Sequence, residues 1–149
     1  MTAQLDVLFE GSILDPLVEL EVAPGAVTDL VISHHRPDHT RWMGLFPVAR
    51  VHDYWAVYER DVWHSRPAEG VQLTPSVALL ETPGHTREDI TTLVASADGV
   101  VALTHLWGHE GAESDPRASD LASLHHHRGR VLARANRIVP GHGPAFDVG

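Results

Sequence analysis

The stretch "LVISHHRPDHT", residues 30–40, places three histidines, an arginine and an aspartate directly after an apolar run. A continuous run such as Leu30–Ile32 is typical of a strand that is buried on both faces. Residues two apart on an extended chain face the same way, so His34 and Arg36 should point together while His35 turns away. The stretch therefore predicts a polar loop at the end of a buried strand, where a metal-binding set of side chains is interrupted by an arginine.

Three later segments repeat this arrangement of apolar strand, turn and histidine. They are "LLETPGHT" with His85, "VALTHLW" with His105 and "RIVPGHGP" with His142. If the strands lie side by side, their end loops meet at one edge of the sheets, where such folds build sites. Glycines beside His85 and His142 would let the backbone approach closely. We expect the four loops to converge on one site.

The composition limits the class of site and of partner. The 149 residues are 43% hydrophobic, enough for one domain over residues 1–149. The chain has no cysteine, so a metal must be held by nitrogen and oxygen, and a reducing compartment is favoured. The net charge of −9 disfavours nucleic acid, and no apolar run approaches the roughly 20 residues of a membrane span. The sequence predicts a cytoplasmic protein that acts on a small molecule.

The remaining sequence predicts short strands and two helices. A strand is expected over Leu5–Gly11, followed by a helix with Asp15 as N-cap and Pro16 at its first position. The strongest helical pattern is "ESDPRASDLASLHHHRGRVLARANRI", which Asp115 or Ser119 could cap.

Other histidines and the tryptophans have simpler interpretations. His125–His127 lie in mid-helix, where consecutive residues splay over a wide arc, so we expect them to face solvent. Trp42, Trp55 and Trp63 are expected in the core. Trp107 has the same default interpretation, but it lies two residues after His105 and could instead line a substrate pocket.

Taken together, "HHRPDH", "TPGHT", "VALTHLW" and "IVPGHGPAF" resemble the metallo-β-lactamase superfamily. That family's first signature is H-x-H-x-D-H, followed by single metal ligands on three later loops. The resemblance runs from about Leu14 to Phe146. Within the family, the chain resembles in particular a subgroup that includes many small bacterial metallo-β-lactamase-domain hydrolases. It implies an α/β fold, the metallo-β-lactamase-like αβ/βα sandwich. It also implies two zinc ions, or sometimes iron or manganese.

Carried over to this chain, the resemblance assigns two metal sites. The first takes His34 and His85, and the second takes Asp38, His39 and His142. In the family the aspartate of the second site also orients the metal-bound water.

Two positions depart from the family pattern. Where the family has its second histidine, this chain has Arg36, whose guanidinium has no lone pair and cannot ligate a metal. Arg36 is expected either to bind an anion or to form an ion pair with Asp38. His35 could supply the missing ligand only if the strand slips by one residue. Where the family has a bridging aspartate, this chain has His105, and a neutral imidazole does not span two metals as a carboxylate does.

These substitutions favour one zinc ion per chain over two, with iron or manganese as alternatives. The expected ligands are Asp38, His39 and His142, with His105 as a fourth.

The N-terminal segment is a third departure from the family pattern. The 33 residues ahead of His34 predict only one strand and a short helix, so the N-terminal half-sheet is expected to be truncated. The sheet edge left open could pair with a second subunit, which favours a homodimer.

The sequence supports two hypotheses about function. The first is a metal-dependent hydrolase of an ester, lactone, amide or phosphodiester, with Arg36 and Trp107 contacting the substrate. The alternative is a weakly active or inactive relative that binds a metal or a small anion as a dimer. The substrate itself is not specified by any motif.

Overall fold

The computed structural model describes residues 10–149 and builds them around two β-sheets. The first sheet has four strands in the order β1-β2-β3-β4. The second has six, in the order β10-β9-β8-β7-β6-β5. The strands are β1 (Asp29–Val31), β2 (Arg50–His52), β3 (Ala56–Glu59), β4 (Val62–Ser65), β5 (Gln72–Thr74), β6 (Val77–Glu81), β7 (Ile90–Ser96), β8 (Gly99–Leu103), β9 (Arg137–Val139) and β10 (Phe146–Asp147).

Helices are few in the described residues. They are α1 (Glu10–Glu19), the single-turn α2 (Pro37–Thr40) and α3 (Leu121–Leu132), with 3-10 turns at Pro24–Ala26 and Met43–Leu45. None of them is long and apolar enough to cross a membrane. Both sheets mix parallel and antiparallel pairs, and the parallel pair β8 and β9 is joined through α3. The predicted α/β class is confirmed.

The chain links the two sheets immediately before the histidine loop. Ile32 N–H donates to His52 O on β2 at 2.9 Å, and Ile90 N–H on β7 donates to Ser33 O at 2.9 Å. The segment after β1 is therefore hydrogen-bonded to both sheets. This fixes the start of the loop that carries His34.

The larger core lies between the six-stranded sheet and α3. Leu124 and Val131 of α3 are buried there with strand residues such as Ala102 and Ile138. Adding a Cβ at Gly84 would place it 2.6 Å from the Leu124 Cα, so the turn before His85 packs directly on the helix backbone. The close approach that the glycine pattern predicts is found here.

The start of the chain requires a correction. The strand predicted over Leu5–Gly11 lies mostly outside the described residues, but Glu10 and Gly11 belong to α1. Asp15 is therefore not the N-cap, and Pro16 lies inside the helix. A proline costs one backbone hydrogen bond yet keeps a helical φ, so this dipeptide did not mark a helix start.

The cap of α3 was also predicted wrongly. Asp120 is the N-cap, and its Oδ1 accepts from Ser123 N–H at 3.0 Å. The two predicted caps are used elsewhere: Ser119 Oγ donates to Gly84 O at 3.1 Å, and Asp115 bonds to His85. Both side chains hold the loop that carries His85.

The hairpin of β3 and β4 carries aromatic residues outward. Trp63 of β4 is 53% exposed, and Trp55, just before β3, is 49% exposed, so their predicted core positions are wrong. Every residue of β4 is exposed, which is why its pattern did not identify it as a strand. β4 is an edge strand of its sheet. The homodimer stays a prediction, and a second subunit could pair with this edge.

Candidate metal centre

Five imidazole rings meet at the ends of the strands. They belong to His34, His39, His85, His105 and His142. His105 is at the centre, with ring centroids 3.9 Å from His85, 4.8 Å from His34, 5.1 Å from His39 and 4.8 Å from His142. The four loops that the sequence predicted to converge do so.

Each ring reaches the cluster from a different element. His34 follows β1, His85 follows β6, His105 follows β8 and His142 follows β9, while His39 lies on α2. Pro37 begins α2, as its fixed φ and missing N–H favour, and the turn brings Asp38 and His39 to the cluster.

A glycine allows His105 to reach its place. A Cβ added at Gly141 would lie 2.5 Å from the His105 Cδ2, well inside van der Waals contact. Only a residue without a side chain fits against the ring at this position, and this explains the glycine before His142.

Neighbouring groups fix one nitrogen of each ring. Ser33 Oγ lies 3.2 Å from His34 Nδ1 and 3.3 Å from His39 Nδ1. His85 Nδ1 bonds to the carboxylate of Asp115, and His105 Nε2 lies 2.9 Å from His142 Nε2.

The other nitrogen of four rings is buried and has no hydrogen-bond partner among the described residues. These atoms are His34 Nε2, His39 Nε2, His85 Nε2 and His105 Nδ1. Buried polar atoms in folded proteins are nearly always paired, so four unpaired nitrogens in one cluster indicate a missing partner. A neutral imidazole nitrogen is a lone-pair donor, and a divalent cation such as zinc accepts it.

Three groups of side chains offer ligand atoms within 4.8 Å of one another. The groups are His34, His39 and His105; Asp38, His39 and His142; and His85, His105 and Asp115. The second group includes the three protein ligands expected for a single metal, and His39 is shared with the first group. The donors are all nitrogen and oxygen, and they fit a zinc ion.

Burial keeps the cluster uncharged without a metal. Desolvation, with neighbouring imidazoles, lowers the pKa of His34 to about 2 and that of His105 to about 3. Desolvation raises the pKa of Asp89, whose Oδ1 is 3.6 Å from His34 Nδ1, to about 7. The imidazoles are therefore neutral at pH 7 and ready to ligate.

Acid should destabilise the metal-free protein. Below pH 6.5 the unfolded chain protonates His34 and His105 while the folded chain does not, which costs about 1.4 kcal/mol of unfolding free energy per pH unit for each residue. Asp89 opposes one of them, because its raised pKa favours the folded state as pH falls from about 7 to 4. We expect a net loss between pH 6 and pH 4, measured by urea unfolding in EDTA. A stability that stays constant over this range would contradict the neutral cluster.

His35 and Arg36 do not restore the missing ligand. His35 Nε2 lies 3.2 Å from Asp53 Oδ2, and its ring stacks on Trp55 with centroids 5.3 Å apart. The strand has not slipped, and His35 faces away from the cluster as expected. Arg36 is half-buried at the rim of a cavity of about 480 Å³, which Asp38, His85, His105 and His142 also line.

Trp107 lies in the core and does not line this cavity. It is 8% exposed and packs under the guanidinium of Arg128, whose Cζ is 5.0 Å from the ring centroid. It belongs to the core cluster that includes Leu124 and Val131 of α3, so the predicted substrate contact finds no support in its position.

Sequence reasoning missed Asp115. Its Oδ2 bonds to His85 Nδ1 and its Oδ1 accepts from Arg117 N–H at 2.8 Å, so it holds the ring with Nε2 turned inward. Such carboxylate–histidine pairs orient metal ligands. In the sequence, Asp115 matches only the pattern of a helix N-cap, and that interpretation hides its contact with His85.

Comparisons with known proteins fit this geometry. No protein-family model matches the chain. The human metallo-beta-lactamase domain-containing protein 1 is 34% identical over 146 residues, covering 92% of this chain and 55% of the human protein. The chain thus spans about half the length of this relative.

Solved structures share the fold at low identity. A quorum-quenching N-acyl homoserine lactone lactonase matches with a TM-score of 0.67 and 19% identity, covering 90% of this chain and 66% of the lactonase. AidC, a dizinc quorum-quenching lactonase, matches with a TM-score of 0.66 and 16% identity, covering 90% of this chain and 63% of AidC.

Proposed function

The chain belongs to the metallo-β-lactamase superfamily, and we propose that it is a metal-dependent hydrolase of a small ester, lactone, amide or phosphodiester. The single observation that carries this proposal is the set of four buried imidazole nitrogens, without partners among residues 10–149, beside an open cavity. A divalent cation is a suitable partner for such lone-pair donors, and His39 Nε2 is the one of the four that belongs to the ligand set proposed below. The cavity gives a substrate access to the site.

The proposed cofactor is one zinc ion per chain, with iron or manganese as alternatives. Asp38, His39 and His142 would hold it, and His105 Nε2, 2.9 Å from His142 Nε2, would be the fourth ligand. When bound, zinc lowers the pKa of a water to about 7 and polarises a substrate oxygen.

The protein's own groups orient the reactants. Asp38 Oδ2 lies 3.5 Å from His39 Nε2 and 4.0 Å from His142 Nε2, on the cavity side of the cluster. From there its carboxylate can accept a proton from the attacking water and keep that water directed at the substrate. Asp115 keeps His85 aligned, and the buried rings exclude bulk water from below the site.

A weakly active relative that binds a metal or an anion is the second candidate. Arg36 and His105 favour it, because both replace residues on which the family's two-metal site depends. The cytoplasm stays the proposed compartment, since the chain has no cysteine.

Metal content and turnover test the proposal together. Protein purified without chelators should carry one equivalent of metal by mass spectrometry and should hydrolyse at least one member of a panel of aryl esters, lactones and phosphodiesters. One equivalent of metal without turnover would support the binding protein instead.

His142→Ala should remove that metal, because it deletes one of the three protein ligands proposed for the ion. His109→Ala is the matched control: it removes a histidine that lines the same cavity but belongs to none of the three ligand groups. A fully loaded His142→Ala variant would refute the proposed ligand set.

A further inference from the structure

Arg36 lies at the edge of the histidine cluster and has no acidic partner among the residues that the structure describes. Its Nη2 donates to Arg117 O at 3.3 Å, and no carboxylate of residues 10–149 forms an ion pair with it. The ion pair with Asp38 that the sequence left open is not formed, because the Asp38 carboxylate faces His39 and His142.

The charge of Arg36 acts on four of the five imidazoles of the cluster. It contributes to lowering the pKa of His34, His39, His85 and His142. A guanidinium stays protonated in proteins, so a divalent cation bound in the cluster would be repelled by it. Such an arrangement is stable when an anion lies between the two positive charges.

The cavity has room and further charge for that anion. Arg117 lines the same cavity as Arg36, so two guanidinium groups share its wall. The two carboxylates that also line it are engaged with histidines, Asp38 with His39 and Asp115 with His85. Guanidinium groups bind carboxylate and phosphate oxygens in pairs, with matching planar geometry.

We infer that the substrate carries an anionic group, a carboxylate or a phosphate, and that Arg36 binds it in this cavity between its guanidinium and the metal cluster. The inference rests on the proposed function and narrows it to anionic esters, lactones or phosphodiesters. Arg36 thereby has a role at the position where the family places a metal ligand.

Arg36→Gln should move two affinities in opposite directions. In zinc-loaded protein, calorimetry with inorganic phosphate and with malonate should show anion binding that the substitution weakens roughly ten- to a hundredfold, as expected for losing charge-assisted hydrogen bonds. Without an anion, competition with a chromophoric chelator should show tighter zinc binding, because a repelling charge has been removed. Phosphate binding alone would identify a phosphate substrate, and malonate binding alone a carboxylate.

Arg87→Gln is the matched control, since it makes the same change in net charge at an exposed residue that does not line the cavity. It should leave both affinities unchanged. Anion affinities of Arg36→Gln within twofold of the unsubstituted protein would overturn the inference. A chain that binds no zinc, iron or manganese would overturn the proposed function. Titration of that metal-free protein with phosphate and malonate would then still test anion binding by Arg36, so the two failures are distinguishable.

Discussion

His39→Ala is expected to lower the zinc affinity of the protein by more than about a hundredfold, beyond what is usual for residues that only orient a ligand. His39 belongs to both the group with Asp38 and His142 and the group with His34 and His105. Whichever group holds the ion, alanine removes one of its donors. Chelator competition measures the affinity, and mass spectrometry measures the metal that remains after purification.

His35→Ala is the control for this variant. It removes an imidazole from the same loop, but one that contacts Asp53 and Trp55 on the far side. It should keep its zinc. A His39→Ala variant that retains a full equivalent would place the ion outside both groups, and circular dichroism establishes that each variant is folded.

Arg36→His combined with His105→Asp should raise the metal content from one equivalent per chain towards two. The first change removes a repelling charge and adds a nitrogen donor near His34 and His85. The Nε2 atoms of these two rings are buried and have no partner in the described part of the chain. The second supplies a carboxylate, which can bridge two ions where an imidazole does not. Metal titration followed by mass spectrometry gives the stoichiometry.

The single variants separate these contributions. Arg36→His alone completes three nitrogen donors for the first site and should bind a second ion weakly. His105→Asp alone leaves the guanidinium in place and should remain at one equivalent. If the double variant also stays at one equivalent, the assignment of the first site to His34 and His85 is wrong.

The sequence predicted the convergence of the loops because each one carries its own local signal. An apolar run marks the buried strand, a turn residue ends it, and a histidine follows, as at "TPGHT" and "VALTHLW". Strands packed side by side then bring these ends together at one sheet edge. The alternation of side chains along an extended segment also predicts that His35 lies outside the cluster, as it does.

The supporting residues could not be predicted in the same way. Asp89 and Asp115 are 55 and 30 residues distant from the histidines they face, His34 and His85. A short-range pattern contains no information on such contacts, and the pattern around Asp115 matched a helix cap. Exposed β4 was missed because it has no buried face to impose an alternation.

The shared hydroxyl of Ser33 couples two rings through a single hydrogen atom. A neutral imidazole that gives its Nε2 lone pair to a cation keeps its hydrogen on Nδ1. If His34 and His39 both coordinate, both Nδ1–H groups point at Ser33 Oγ, which then accepts twice and must send its own hydrogen elsewhere. Without a cation, the hydroxyl can instead donate to one ring. When both rings coordinate, metal loading therefore fixes the tautomers of both together.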